Sequence, residues 1–225
     1  MENISRVEPY RMPAADDLPP NVAQWAADPG RAVLLIHDMQ RYFLKPFAAA
    51  QSLAGELIGN AVALRERCTE VGIPVAYTAQ PGGMTERQRG LLKDFWGPGM
   101  SVDPADKSII GPLAPADGDW VFTKWRYSAF FGSQLLTRMR EHGRDQLIVC
   151  GVYAHVGVLM TAVEAFTHDI QTFLAADAVA DFSADYHRLA VNYAATRCGV
   201  AVTTQTILAQ LGTPSGRPQG RSVHD

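Results

Sequence analysis

The chain has 225 residues, of which 47% are hydrophobic and 19% charged, so it is long enough for one large hydrophobic core and too short for two. A net charge of −3 without a basic stripe argues against nucleic acid as a partner, and no apolar run approaches the roughly 18 residues that span a membrane. The N terminus lacks the basic start and apolar stretch of a signal peptide, and three cysteines cannot pair completely within one chain. We therefore expect a cytoplasmic protein with neither nucleic acid nor a bilayer as its partner.

Hydrophobic periodicity divides the chain into an arm, a domain and a tail. Residues 1–30 are rich in Pro, Ala and Asp and predict an arm laid over the domain, with a short helix near 21–27. Residues 31–212 alternate apolar runs with helical patterns, and the polar residues 213–225 predict a disordered tail. The apolar runs predict strands at 32–38, 73–78, 120–124, 146–151, 172–176 and 200–203. The helical patterns lie at 51–71, 133–142, 155–168, 184–198 and 204–211.

This alternation predicts an α/β fold with three layers, α/β/α. One six-stranded parallel sheet would be covered by helices on both faces and joined by right-handed crossovers, in a Rossmann-like arrangement. The connection from Gln80 to Gly118 is the exception to the regular pattern, and it holds Gln80, Arg89 and Trp96. Connections of that length in a compact domain usually cover a site, so we expect a lid here.

Asp38 marks the expected site because it ends the apolar strand 32–38. An ionised carboxyl is costly to bury unless it is paired, so an acid at the end of a central strand is either a structural cap or a chemical group. Lys124 and Tyr153 come at or just after the ends of two other predicted strands. Since the carboxyl ends of parallel strands converge on one crevice, we expect an acid, an ammonium and a phenol to meet there.

Several familiar motifs are missing. The chain has no Gly-x-Gly-x-x-Gly after the first strand, no phosphate loop and no Gly-x-Ser-x-Gly elbow. His37 precedes Asp38 on the opposite face of the strand, which favours a core histidine, or one that supports a catalytic residue, over a catalytic histidine. Asp177 and Asp181 suit a metal or, at least as well, helix capping. The sequence thus predicts no cofactor and no metal, and small buried hydrophobes at Cys68, Cys150 and Cys198.

Three segments, in order, resemble the isochorismatase-like hydrolase family: Leu35–Gln40 with Tyr42 and Phe43, then Thr123 and Lys124, then Gly151–Gly157. The resemblance covers about residues 30–205. Most members of this family carry a nucleophilic cysteine in a Cys-Asp-Lys triad that hydrolyses amides, whereas the matching position here is Gly157. The resemblance therefore implies the family fold without the amidase chemistry.

The branch of the family that lacks the cysteine hydrolyses enolpyruvyl ethers, and residues 80–85, 88–99 and 124–131 resemble its phenazine-pathway members. That likeness implies a chorismate-derived substrate, 2-amino-2-deoxyisochorismate, cleaved to trans-2,3-dihydro-3-hydroxyanthranilate and pyruvate. One alternative is an isochorismatase that forms 2,3-dihydro-2,3-dihydroxybenzoate and pyruvate. Another is a non-catalytic binding protein on the same fold. The family also implies a homodimer.

For ether hydrolysis, the resemblance implies that Asp38 is the general acid, which protonates the methylene carbon, with Lys124 as its cationic neighbour. The resemblance also implies contacts to the substrate. Its carboxylates would be bound by Gln80, Tyr153, Arg89 and the backbone near Gly157, and its ring would pack against Trp96 and Phe43. A cis peptide at Val152–Tyr153 is a further family feature. The roles of three neighbouring residues stay open between substrate contact, lid anchoring and a subunit interface: Arg126, Tyr127 and Phe131.

Overall fold

The architecture is that of a single parallel sheet between two layers of helices, seen in a computed structural model that describes residues 4–212. The predicted disordered tail, 213–225, lies outside the described residues. The sheet consists of β1 (Ala32–His37), β2 (Val75–Ala79), β3 (Trp120–Thr123), β4 (Gln146–Val152), β5 (Gln171–Ala180) and β6 (Val200–Val202), all paired in parallel. The predicted α/β class and six-stranded parallel sheet are confirmed.

The five predicted helices occur in the predicted order and cover both faces, and four short helices, at 41–44, 86–89, 92–96 and 104–107, were not predicted. In chain order, the helices are α1 (Arg41–Leu44), α2 (Gln51–Glu70), α3 (Glu86–Arg89), α4 (Leu92–Trp96), α5 (Pro104–Lys107), α6 (Leu135–Glu141), α7 (Leu159–Thr167), α8 (Ala184–Tyr193) and α9 (Thr204–Gln210). π-helical turns, Ala154–Val158 and Ala194–Cys198, precede α7 and follow α8. One core holds Leu57 of α2 and Ile207 of α9, and the other holds Met139 of α6 and Val191 of α8. Within the described part of the chain, no helix is long and apolar enough to cross a membrane.

The strand order β3-β2-β1-β4-β5-β6 places β1 and β4 side by side at the centre. From β1 the chain first builds outward through β2 and β3, and then crosses back to start β4 on the other side of β1. A crevice opens at the carboxyl ends of the strands where the order reverses, and ligands bind there in open α/β sheets. All residues of β1 and β4 are buried, as expected for central strands covered on both faces. Asp38 follows the first of these strands and Tyr153 the second.

Two details of the sequence prediction are wrong. Residues 21–27 form no helix; instead, the amide of Asn21 pairs with the backbone of Ala201 at the edge strand β6, at 2.9 and 2.7 Å. That pairing favours an extended chain over a helix. β5 also runs to Ala180 rather than 176, because its continuation past Asp177 stays buried and pairs with the end of β4 after a shift in register.

Candidate active site

Asp38 leaves β1 in a left-handed backbone conformation, with φ of 51°, which ends the alternation of the strand. Its side chain is buried, and the Thr78 hydroxyl donates to Oδ1 at 2.6 Å. The same hydroxyl accepts the Asp38 backbone N–H at 3.1 Å. Thr78 stands beside the end of β1 because its strand, β2, pairs there in register with His37. Sequence reasoning missed Thr78, although a polar residue near the end of the neighbouring strand was an available signal.

Lys124 approaches the other oxygen of Asp38. Its ammonium Nζ lies 3.2 Å from Asp38 Oδ2, and both side chains are almost fully buried, at 2% and 6% exposure. Burial alone would raise the pKa of Asp38, but the ammonium and the Thr78 hydroxyl hold that pKa below its usual range. Burial lowers the pKa of Lys124, and Asp38 opposes that effect. The predicted meeting of an acid and an ammonium is therefore present in the structure.

The connection between β2 and β3 brings Gln80, Arg89 and Trp96 to the same crevice, as predicted. Gln80 Nε2 lies 3.5 Å from Asp38 Oδ2. The buried guanidinium of Arg89 donates to the carbonyl of Gly97 at 2.9 Å and more weakly to those of Trp96 and the Gln80 side chain, at 3.3 and 3.5 Å. Among residues 4–212, no carboxylate pairs with Arg89, so its charge is available to an anionic ligand.

The segment after β4 supplies the opposite wall. Val152–Tyr153 is a cis peptide, as the family resemblance implied. The Tyr153 hydroxyl donates to the Phe43 carbonyl at 2.6 Å, so the expected hydrogen bond from this phenol to a substrate carboxylate is not available in this structure. Tyr153 and Phe43 nevertheless line the crevice with their rings, as does Gly157 with its backbone.

All eight predicted site residues thus line one crevice. The lining also includes residues that the sequence analysis did not assign to the site or left open, namely Ile4, His37, Tyr42, Leu92, Gly99, Arg126, Tyr127, Val152 and Val156. Ile4 belongs to the N-terminal arm, and no sequence signal indicated its position. Of the charged side chains in this lining, one is acidic, Asp38, and three are basic, Arg89, Lys124 and Arg126. The crevice therefore suits a ligand with more than one negative charge.

Asp177 and Asp181 act as caps. Asp177 accepts the backbone N–H and hydroxyl of Thr204 at the start of α9, at 2.6 and 2.7 Å. Asp181 accepts the backbone N–H of His155 at 2.6 Å and pairs with its ring at 2.8 Å. In the described part of the chain, no three potential metal ligands come together.

Comparison with known proteins identifies the family. The model of the isochorismatase domain matches residues 32–206. The chain belongs to the isochorismatase family. A probable isochorismatase of Pseudomonas chlororaphis is 59% identical over 208 residues, which are 92% of this chain and 100% of that protein. Phenazine biosynthesis protein PhzD1 of Pseudomonas aeruginosa is also 59% identical, with the same coverage, and the isochorismatase of Bacillus subtilis is 53% identical over 92% of this chain and 67% of its own length.

Solved structures of the isochorismatase fold agree with the architecture. A cysteine hydrolase from Pseudomonas syringae superposes with a TM-score of 0.76 at 22% identity, covering 85% of this chain and 97% of that one. N-carbamoylsarcosine amidase from Thermoplasma acidophilum gives a TM-score of 0.64 at 24% identity, covering 77% and 96%. At these identities the likeness concerns the fold alone. The isochorismatase-family chain described here presents a glycine, Gly157, in its crevice, with no side chain to attack a substrate.

Proposed function

We propose that the protein hydrolyses the enolpyruvyl ether of 2-amino-2-deoxyisochorismate to trans-2,3-dihydro-3-hydroxyanthranilate and pyruvate, with Asp38 as the general acid. The observation that carries the proposal is the buried pair of Asp38 and Lys124, 3.2 Å apart. Gly157 lines the same crevice and has no side chain that could act as a nucleophile. A vinyl ether is cleaved by protonation and needs no protein nucleophile. Two relatives at 59% identity, a phenazine biosynthesis protein and a probable isochorismatase, support ether hydrolysis of this kind.

The reaction starts with transfer of a proton from Asp38 to the methylene carbon. The adjacent ether carbon becomes an oxocarbenium ion, which the newly ionised Asp38 stabilises electrostatically. Water adds to that carbon and returns a proton to the Asp38 carboxylate, which regenerates the acid. The hemiketal then collapses to the keto group of pyruvate and the ring alcohol, as its hydroxyl proton passes to the departing ether oxygen. The ether oxygen therefore stays on the ring, and the oxygen from water leaves with pyruvate.

Asp38 must be protonated before it can act, whereas Lys124 holds the pKa of the free carboxyl below its usual range. The substrate carries carboxylates of its own, which would engage Lys124 and the unpaired charge of Arg89. Closure of the 80–118 segment would also remove water and favour the neutral acid. Substrate binding is thus proposed to raise the pKa of Asp38, so that the carboxyl is protonated in the complex.

Pyruvate release, coupled to lactate dehydrogenase, tests the proposal with each candidate substrate. We expect turnover with the wild-type protein and almost none with Asp38→Asn. Turnover in water enriched in heavy oxygen locates the broken bond, because the ring hydroxyl does not readily exchange with solvent. An unlabelled ring hydroxyl is expected. Heavy oxygen on the ring would mean attack at the ring carbon and would require Asp38 to act as a base.

An isochorismatase is the second candidate, and one observation favours keeping it. Asp38 is the single carboxylate among the described residues that line the crevice, so no second acid is there to select an amine over a hydroxyl. A pocket with adaptable polar groups discriminates weakly between two such substrates. Comparison of kcat/KM for the two ethers decides between them. A purely binding role would leave both unhydrolysed.

The proposal extends to assembly and location, a homodimer in the cytoplasm. Cys68, Cys150 and Cys198 are buried and unpaired, as in proteins of a reducing compartment. Leu91 and Phe95, four positions apart on the lid segment, are 78% and 75% exposed. Large apolar side chains exposed together are typical of a surface that a partner covers.

A further inference from the structure

His37 is a buried histidine whose protonation is fixed by its surroundings. Its ring is fully buried between the central strands, and Nδ1 lies 2.9 Å from the Val152 carbonyl. Only an N–H can pair with a carbonyl oxygen, so Nδ1 carries a proton. Burial lowers the pKa of His37 to about 4 despite the nearby carboxylate, so the ring is neutral at neutral pH. A neutral ring that donates from Nδ1 has no proton on Nε2, so Nε2 cannot donate to the Tyr127 backbone near the ring, and it has no partner at hydrogen-bond geometry within residues 4–212.

The outer edge of this ring occupies the space in front of residue 157. A Cβ atom at position 157 would lie 2.2 Å from His37 Cε1 and 2.9 Å from Nε2. Both distances are far below van der Waals contact. The ring cannot give way easily, because Nδ1 is held by Val152 and the His37 backbone packs against Gly151, where a Cβ atom would lie 2.2 Å from the His37 carbonyl oxygen. The absence of a side chain at 157 is therefore imposed by His37.

The same histidine immediately precedes Asp38 in the chain. Its Nδ1 lies 3.8 Å from Asp38 Oδ2, and its hydrogen bond ties the end of β1 to the carbonyl of Val152 at the end of β4. Asp38 begins its left-handed turn at that point, with φ of 51°. The orientation of the carboxyl therefore depends on where β1 is fixed relative to β4.

We propose that His37 is a positioning residue that fixes Asp38 by anchoring β1 to the Val152 carbonyl, and that its ring and Gly157 form a coupled pair. The anchor keeps the acid in place, and the ring keeps position 157 free of any side chain. The site is thereby restricted to chemistry that needs no side-chain nucleophile at 157. The kinetic part of this inference rests on the proposed ether hydrolysis, whereas the packing part does not.

Two matched variants separate the hydrogen bond from the bulk of the ring. Asn places an amide N–H where Nδ1 of the histidine stands. Leu has nearly the same shape as Asn but no hydrogen-bond donor. We expect His37→Leu to lower kcat by about 10-fold to 100-fold with KM changed less than about 3-fold, since misplacement of a catalytic group affects the transition state most. His37→Asn should keep most of the wild-type kcat, because its amide N–H can still donate to the Val152 carbonyl. Equal kcat in the two variants, or failure of the Asn variant to fold, would overturn the anchoring role.

Unfolding midpoints of four proteins test the coupling: wild type, His37→Asn, Gly157→Ala and the double variant. With His37 present, Gly157→Ala should lower the midpoint by about 5–10 °C or prevent folding, as overpacking does. With Asn at 37, the outer ring atoms are gone and the nearest remaining atom, in the place of Nδ1, would lie 3.2 Å from the new Cβ. The same Ala should then cost less than half as much. Equal costs in the two backgrounds, or a double variant that fails to fold, would refute the coupling.

The two measurements fail in different ways. If the protein hydrolyses neither enolpyruvyl ether, the proposed function is lost, but the midpoints still decide whether His37 and Gly157 are coupled. If the ethers are hydrolysed and His37→Leu matches His37→Asn, only the anchoring role is lost. Circular dichroism of each variant at the assay temperature separates lost catalysis from lost folding.

Discussion

At the scale of single residues, the two oxygens of Asp38 differ. Oδ1 accepts from Thr78, whose own lone pair is used by the Asp38 backbone N–H. Oδ2 faces Lys124 at 3.2 Å and the Gln80 amide at 3.5 Å, and it has no hydroxyl fixed to it. Both oxygens therefore face donors in the free protein, and a proton on Oδ2 requires that the Lys124 ammonium turn to a substrate carboxylate, as proposed above.

Asp38→Asn should lower kcat by about 10²-fold to 10⁴-fold, because proton transfer to carbon occurs only in the transition state, while KM should change little. Asn preserves the size and the contact with Thr78. Steady-state pyruvate release measures both constants. Thr78→Val is the control, since it removes one hydrogen bond and leaves the acid, and its loss should be well below that of Asp38→Asn. Near-native turnover in Asp38→Asn would rule out Asp38 as the acid.

The pH dependence follows from the lowered pKa of Asp38 in the free protein. Rising pH removes the proton that the reaction requires, so kcat/KM, which reports the free enzyme, should fall as pH rises from the acid range. In the complex, substrate carboxylates compete for Lys124 and raise the pKa of Asp38. The falling limb of kcat should therefore lie at higher pH than that of kcat/KM, in profiles measured from about pH 4 to 9.

Lys124→Gln provides the comparison for that profile. Without the ammonium, the pKa of the free carboxyl should rise, and the falling limb of kcat/KM should move to higher pH. A rate that climbs through the same window in the wild type would instead indicate that Asp38 works as a base.

At the scale of elements, the loop after β3 connects Lys124 to the segment 80–118, the proposed lid. Two residues beyond Lys124, the Arg126 guanidinium donates to the Gln88 carbonyl of α3 at 2.7 Å. The next residue, Tyr127, accepts the indole N–H of Trp96 in α4 at 2.7 Å. The contacts of Arg126 and Tyr127 match the lid-anchoring alternative, although both residues also line the crevice.

Tyr127→Phe should therefore loosen the lid without touching the acid. Loss of one neutral hydrogen bond corresponds to about 0.5–1.5 kcal/mol, so we expect KM to rise by about 2-fold to 13-fold with kcat reduced less. Tyr193→Phe on α8 is the matched control, because Tyr193 lies outside the crevice lining and 45% exposed. Equal KM and kcat in the two variants would argue against the proposal that the Tyr127 hydroxyl anchors the lid.

At the scale of the whole molecule, the proposed dimer should depend on the exposed side chains of Leu91 and Phe95. Replacing both by Arg adds charge to an apolar surface and should yield monomers, which sedimentation velocity would detect as a halved mass. Circular dichroism should stay unchanged, since both side chains project into solvent. Arg at the exposed Val22, far along the chain on the arm, serves as the control. A monomeric wild type would exclude the dimer outright.

The sequence was informative where the determinants are local or periodic. Apolar runs located the strands, and the position of Asp38 and Lys124 at strand ends predicted their meeting. Contacts between distant segments left no such pattern. The Tyr153 hydroxyl bonds to Phe43 across 110 positions, and Asn21 pairs with Ala201 across 180. These contacts depend on how distant segments pack in the folded protein. Periodicity therefore could not predict that the Tyr153 hydroxyl donates to Phe43 or that residues 21–27 form no helix.

The arm makes one wall of the crevice depend on the far end of the domain. Its partners lie late in the chain: Glu8 donates to the Phe182 carbonyl, Tyr10 bonds to His187, and Ala27 donates to the side chain of Gln210. Ile4, which lines the crevice, belongs to the same arm, so this wall of the crevice depends on contacts that only the folded far end of the domain provides. Damage to the last strand or helix would remove the Ala27 contact, so we expect it to disturb the crevice wall at Ile4 as well.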